Sequence, residues 1–221
     1  SHGIYVGELK RFTLMGSHIK GTDRGHQIKS RALENFILYN RIEDVPEGSA
    51  SRLVDLSNCG LSFIIGNDMH QAVTTQNGDA IGYGAEGCEG RTDRQRRLFV
   101  VNNTFVNDAW NGTLVRNHAK GEVLVANNLV YGNANLLLGK GEKVNNVTLS
   151  LNHRPPGRWD APADSAAIDA VQALATVEGM SLAPTREFTL PVGTVERNAS
   201  GALDVGSREQ PAHDAAGHVS Q

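Results

Sequence analysis

The sequence predicts an all-β chain wound into a solenoid of about five or six coils, and three observations lead there. The first is composition. Among 221 residues there are 24 glycines and very many asparagines but only 7 prolines, with few runs of strong helix formers, which favours short strands separated by Gly/Asn turns. The second is a repeat: LMGSHI, FILYNRI, FIIGNDM, FVVNNTF and LVANNLV share the form apolar, x, apolar, x, Asn, x, apolar. Ser17 stands at the Asn position of the first, followed by Asn40, Asn67, Asn103 and Asn128, at spacings of 23, 27, 36 and 25 residues. The third is a second apolar segment about a dozen residues before each of these, in GIYVG (3-7), QIKS (27-30), LVDL (53-56), AIGYG (80-84) and GTLV (112-115). Two or three short strands recurring roughly every 20 to 30 residues are the pattern of a β-solenoid, in which equivalent positions stack about 4.8 Å apart.

Each element then follows in order. In the first strand of each coil, Ile4, Ile28, Val54 and Ile81 read as inward, so that Tyr5, Lys29, Asp55 and Gly82 form one outer column. The Asn positions, flanked by Val, Ile, Phe or Leu, read as an interior ladder at a corner, where the amides satisfy turn backbone that the bend would orphan. The coils occupy 1-152. The largest departure is the 36-residue spacing around Tyr83 to Leu98, where AEGCEGRTDRQRR must project as a loop. From 153 to 209 the texture changes to a closing segment: RPPGRWDAPAD is linker-like, and AAIDAVQALATV carries Ile168, Val171 and Leu174 at the spacing of a short helix or turn that covers one end or packs along the side. The tail, 210-221, lacks apolar periodicity and reads as mobile. A bare first coil would expose unpaired strand groups, so a partner chain or a missing N-terminal segment is expected to cover it.

Charge and cysteine usage narrow the classes. Lys and Arg number 21 against 24 Asp and Glu, a net charge of −3, which argues against a nucleic-acid binder. No apolar run approaches the length of a membrane span, so no membrane is expected. Two cysteines, Cys59 and Cys88, allow at most one bridge, which export would favour. The eight histidines form no metal-binding pattern. The four N-x-S/T matches, at Asn102, Asn111, Asn146 and Asn198, reflect asparagine abundance.

The segments GHQIKSRALENFILYNRI, LVDLSNCGLSFIIGN and RLFVVNNTFVND resemble coils of right-handed parallel β-helix proteins of the pectate-lyase-like superfamily, and SAAIDA, PTREF and GALDVG resemble the closing segment of secreted bacterial members. The Lys29-Ser30 pair resembles the coil of the alginate lyase and chondroitinase B family in which the Lys acts as base; Asp55 stands where the next coil of that family supplies an Arg, so Arg31 or Arg52 would have to replace it. The resemblance implies a secreted or periplasmic protein acting on an acidic polysaccharide, with calcium as an optional cofactor. Glu8 is the one carboxylate near the first coil.

The chemistry of β-elimination asks for a base near the α proton of a uronate and a cation holding its carboxylate. Lys29, Arg31, His26, Tyr5 and Asp55 are the catalytic candidates from adjacent coils. Arg52, Asn58, Tyr83, Glu86, Arg94, Arg96 and Arg97 are the substrate-binding candidates, the last three belonging with Arg91 to a positive wall on the inserted loop. His70, Gln71 and Asn77 are expected near the same face as Glu86. Two further readings stay open: a glycosidase using Asp55 and Glu86 as its carboxylate pair, and a non-catalytic carbohydrate-binding or adhesin module. A plain Lys29-Asp55 ion pair across coils is the bland alternative to a catalytic lysine.

Overall fold

The structure, a computed structural model, describes residues 1–45 and 48–211. The segment 212–221, most of the predicted mobile tail, lies outside the described residues. The first coil comprises β1 (Ile4–Val6), β2 (Phe12–Met15) and β3 (His18–Lys20), and the second β4 (His26–Ser30), β5 (Glu34–Leu38) and β6 (Arg41–Glu43). The third comprises β7 (Arg52–Leu56), β8 (Leu61–Ile65) and β9 (Asp68–Gln71), and the fourth β10 (Asp79–Tyr83), β11 (Leu98–Val101) and β12 (Thr104–Asn107). Then come β13 (Gly112–Asn117), β14 (Val123–Ala126) and β15 (Leu129–Tyr131), and finally β16 (Ala134–Leu138), β17 (Glu142–Val144) and β18 (Val147–Leu149). Every third strand pairs in parallel with its equivalent, giving three 6-stranded sheets and hence a parallel β-helix of six coils.

The interior is built from period-2 alternation in register. On the first sheet Ile4, Ile28, Val54, Ile81, Val115 and Leu137 are consecutive partners. On the second, Leu14, Ile37, Ile64, Val100 and Val125 continue into Lys143, and on the third Ile19, Ile42, Met69, Phe105 and Val130 continue into Thr148. Both inward columns thus turn polar in the sixth coil, where the chain leaves the solenoid and a terminal repeat needs a wettable face.

The asparagine ladder runs where the sequence places it, at the corner between the second and third sheets. Asn67 donates from its amide nitrogen to Oδ1 of Asn103 at 2.9 Å, Asn103 to Asn128 at 3.0 Å, and Asn128 to Asn146 at 2.9 Å. Each Oδ1 also accepts the backbone N–H of the preceding rung, beginning with Ser17 on Asn40. The sixth rung, Asn146, escapes the sequence reading, which places it only among the N-x-S/T matches. The residue before each rung (Gly16, Tyr39, Gly66, Asn102, Asn127, Asn145) has a left-handed backbone, with φ between 48° and 67°, which explains why Gly or Asn recurs there. Gly66 is doubly constrained: a Cβ there would lie 2.6 Å from the Tyr39 ring.

The closing segment runs along the side of the solenoid and contains no α-helix. Residues 161–176 are turns and extended chain, because Ile168, Val171 and Leu174 lie against two different outer faces instead of sharing one helical stripe. Leu174, Val177, Met180 and Leu182 pack over the stacked rings of Phe36, Phe63 and Phe99 on the second sheet. Ala161, Ala167, Val205 and Trp159 cover Val106, Leu129 and Tyr131 on the third. A hairpin of β19 (Arg186–Phe188) and β20 (Thr194–Glu196) completes the strap, which is pinned by Arg208 and Ser207 on buried Asp68. The strap packs on the second and third sheets, and the outer face of the first is instead partly covered by the loop after β10. Among the described residues no helix is long and apolar enough to cross a membrane.

Candidate functional site

The outer face of the first sheet carries the predicted outer column. Tyr5, Lys29, Asp55 and Gly82 are consecutive register partners, and Arg116 and Leu138 extend the column through coils five and six. Gly82 is a gap through which Arg52 passes: a Cβ there would meet the Arg52 side chain at 2.8 Å.

Asp55 is the buried hub, 2% exposed. It accepts from the Ser57 hydroxyl and meets Lys29 and His26 at 3.5 Å and Arg52 at 3.3 Å. Arg52 and Arg116 share Asp79 on the next coil, at 3.9 and 3.2 Å. The other focus is Glu86, which reaches the patch from the loop after β10. Its Oε1 lies 2.5 Å from the Lys29 ammonium and its Oε2 2.5 Å from the Arg31 guanidinium. Arg31 also donates to the hydroxyl of Tyr5 at 3.0 Å and to the amide oxygen of Asn58. The hydrogen bond from Lys29, with that from Arg31, holds the Glu86 carboxyl below the usual carboxylate range.

His26 lies at the rim. Burial is the main cause that lowers its pKa to about 4, with Arg52 and Lys29 adding to it and Asp55 opposing. The imidazole is therefore neutral at physiological pH. The ring of His2 stacks on it at 5.0 Å, and its Nδ1 accepts from the His26 backbone at 3.1 Å.

The loop is anchored by the Cys59–Cys88 disulfide, by the Glu86 backbone N–H on the Ser57 carbonyl at 2.9 Å, and by Arg91, which donates to the carbonyls of Asn58 and Arg31. It lies back against coils two and three instead of standing out as the sequence suggests. Its arginines are braces. Arg94 bridges Glu34 and Glu178, Arg97 bridges Glu122 and Glu178, and Arg96 reaches Asp93 and the Cys88 carbonyl. The expected positive wall is thus largely neutralised by acids that lie far away in sequence. Tyr83 is also corrected: its position faces inward, it is fully buried, and its hydroxyl donates to the Gly60 carbonyl, so it cannot touch a substrate. His70 lies on the third sheet, paired with Asp108 at 2.8 Å, and Gln71 bonds Asn77 at the neighbouring corner, away from Glu86.

Lys29, Arg31, His26, Tyr5, Asp55, Arg52, Asn58 and Glu86 therefore form one constellation. The sequence reading missed His2, Ser57, Asp79 and Arg116. Extending the strand alignment would have found Arg116 and also Asp79, the first residue of β10; His2 and Ser57 lie just outside β1 and β7 and owe their places to the flanking turns. Depressions of 590 and 270 Å³ open beside the loop toward Lys120, His118 and Lys140. A calcium ion does not fit the donor set. Asp55 and Glu86 are each bound by cations, Glu8 is exposed with Arg91 at 3.9 Å, and among the described residues no group of three or more His, Cys, Asp and Glu is arranged to hold a metal.

Compared with known proteins, the chain matches no family model, no curated protein and no solved structure.

Proposed function

We propose that the outer face of the first sheet binds a uronate-containing polysaccharide and cleaves it by β-elimination, as the resemblance of its coils to the pectate-lyase-like superfamily implies. One observation carries the reading: two cations on adjacent strand and turn positions, Lys29 and Arg31, converge on the two oxygens of a single carboxylate at 2.5 Å each. A uronate carboxylate held so would have its developing enolate charge stabilised as the α proton leaves. Lys29 enters as a cation and not as the base, because its ammonium is committed to Glu86 and Asp55. Tyr5 is 55% exposed, and its oxygen accepts from Arg31. It is the proton-transfer group beside the clamp, with the ring of His2 stacked between it and neutral His26. In the reaction the α C–H proton passes to the base, the C–O bond at the β position breaks to leave an unsaturated uronide, and the departing oxygen takes a proton. The disulfide supports an oxidising, extracytoplasmic setting.

The glycosidase reading has the spacing but not the electrostatics. Asp55 and Glu86 contact the same ammonium, so their nearest oxygens are at most about 6 Å apart. A general acid needs a raised pKa and access to the glycosidic oxygen, however, whereas Glu86 is lowered and Asp55, 2% exposed, is out of reach of a substrate. Binding without turnover is favoured by one observation: the charged side chains of the patch are already paired with one another. Incubation with alginate, pectate and glycosaminoglycans, read by the absorbance of the unsaturated uronide together with a pull-down on the same polymers, separates the two. Double-bond formation supports the lyase, retention without it supports the binding module, and the absence of both signals sinks both readings.

A further inference from the structure

We infer that Glu86 is a tethered pseudo-ligand: its carboxylate occupies the Lys29–Arg31 clamp and must swing out before a uronate can enter. The inference rests on the proposed recognition of uronates, and adds to it a gate that sets affinity. Three features set Glu86 apart from an ordinary structural acid. It comes from the loop and not from a strand, 57 residues from Lys29, so nothing in the coil repeat requires a carboxylate there. Each of its oxygens faces a different cation at 2.5 Å, which is the arrangement a free carboxylate would adopt between them. Its side chain is 42% exposed, whereas that of Asp55, the acid that anchors the same lysine from below, is 3% exposed.

The tether also has the right stiffness. The disulfide from Cys88, the Glu86 N–H on Ser57, and Asn58 Nδ2 on the Gly87 carbonyl at 3.2 Å pin the backbone on both sides. Only the Glu86 side chain has to move, by rotation into solvent. With Glu86 out, Lys29 keeps Asp55, and Arg31 keeps Tyr5 and Asn58, so both cations stay aimed at the vacated place. The exchange is one carboxylate for another at constant net charge in the clamp. A neutral sugar brings no such replacement and has no means of displacing Glu86.

The test compares wild type with Glu86→Gln, Glu86→Ala and the double variant Glu86→Ala/Arg31→Ala. Titration calorimetry with oligouronates and with matched neutral oligosaccharides reads affinity independently of turnover, and circular dichroism checks folding. The expected result is that Glu86→Ala and Glu86→Gln bind oligouronates roughly tenfold or more tighter than wild type, with no gain for neutral oligosaccharides, and that the double variant loses the gain. Equal or weaker uronate binding in both single variants, with wild-type binding intact, overturns the pseudo-ligand and leaves the proposed function standing. A gain in affinity without any unsaturated product supports the gate while removing the lyase. Absence of uronate binding in wild type and in folded Glu86→Gln overturns both. Should Glu86→Ala fail to fold, the near-isosteric Glu86→Gln decides alone.

Discussion

The outer faces of the first and second sheets are made by the same coils, yet they are opposites. On the first sheet the outward column reads Tyr5, Lys29, Asp55, Gly82, Arg116; on the second it reads Phe36, Phe63, Phe99, Leu124. The phenylalanine rings stack at 5.2 and 5.3 Å and lie beneath the closing strap. The charged column lies outside the strap, and its central members, Lys29 and Asp55, are buried beneath the loop that carries Glu86. One strap cannot cover every face, and burying apolar rings gains far more than burying charges that need partners. The closing segment therefore follows the aromatic face, and the face outside the strap is the one where polar chemistry collects.

Three perturbations bear on that contrast. The largest effect is expected on the covered face: Phe63→Ala, at a side chain 1% exposed, should cost about 3–5 kcal/mol, measured by denaturant unfolding. A cost near zero would mean that the strap does not pack on the rings. A smaller effect comes from acid. The neutral state of His26, with a pKa of about 4 against an ordinary 6.5, means that the unfolded chain binds a proton that the folded chain refuses. Stability is complete above pH 6.5, falls as pH drops toward 4 and then levels, by at most about 3 kcal/mol. His2, also lowered, chiefly by burial, acts in the same direction. Below about pH 4.5 the lowered Glu86 adds its own loss. Unfolding midpoints across this range for wild type and His26→Gln check the slope, which the variant should flatten. The smallest stability effect belongs to the face outside the strap: Arg31→Ala should change it by less than about 1 kcal/mol while abolishing uronate cleavage. A large loss of stability there would reassign Arg31 to the framework.

Legibility in the sequence followed distance along the chain. Tyr5, Lys29 and Asp55 could be aligned because each coil repeats the same alternation, and the asparagines because each rung repeats the same corner. Tyr83 was misplaced by one step of that alternation, since the odd and even residues of β10 face opposite ways. The arginines of the loop looked free because Glu34, Glu122 and Glu178 lie up to 84 residues away. Ile168, Val171 and Leu174 suggested a short helix or a turn, and the turn is what forms, because a spacing of three or four residues cannot reveal that two separate surfaces will claim them.

By itself the amino-acid order determined the solenoid, its register and its ladder, because a period-2 pattern repeated coil after coil admits one stacking that keeps every apolar column inside. Only the tertiary structure decided that Glu86 closes on Lys29 and Arg31, that the loop arginines are neutralised, and that the strap leaves the first sheet to the loop. Those outcomes depend on where a loop and a strap come to rest in space, and electrostatic partners found there leave no periodic trace in the chain.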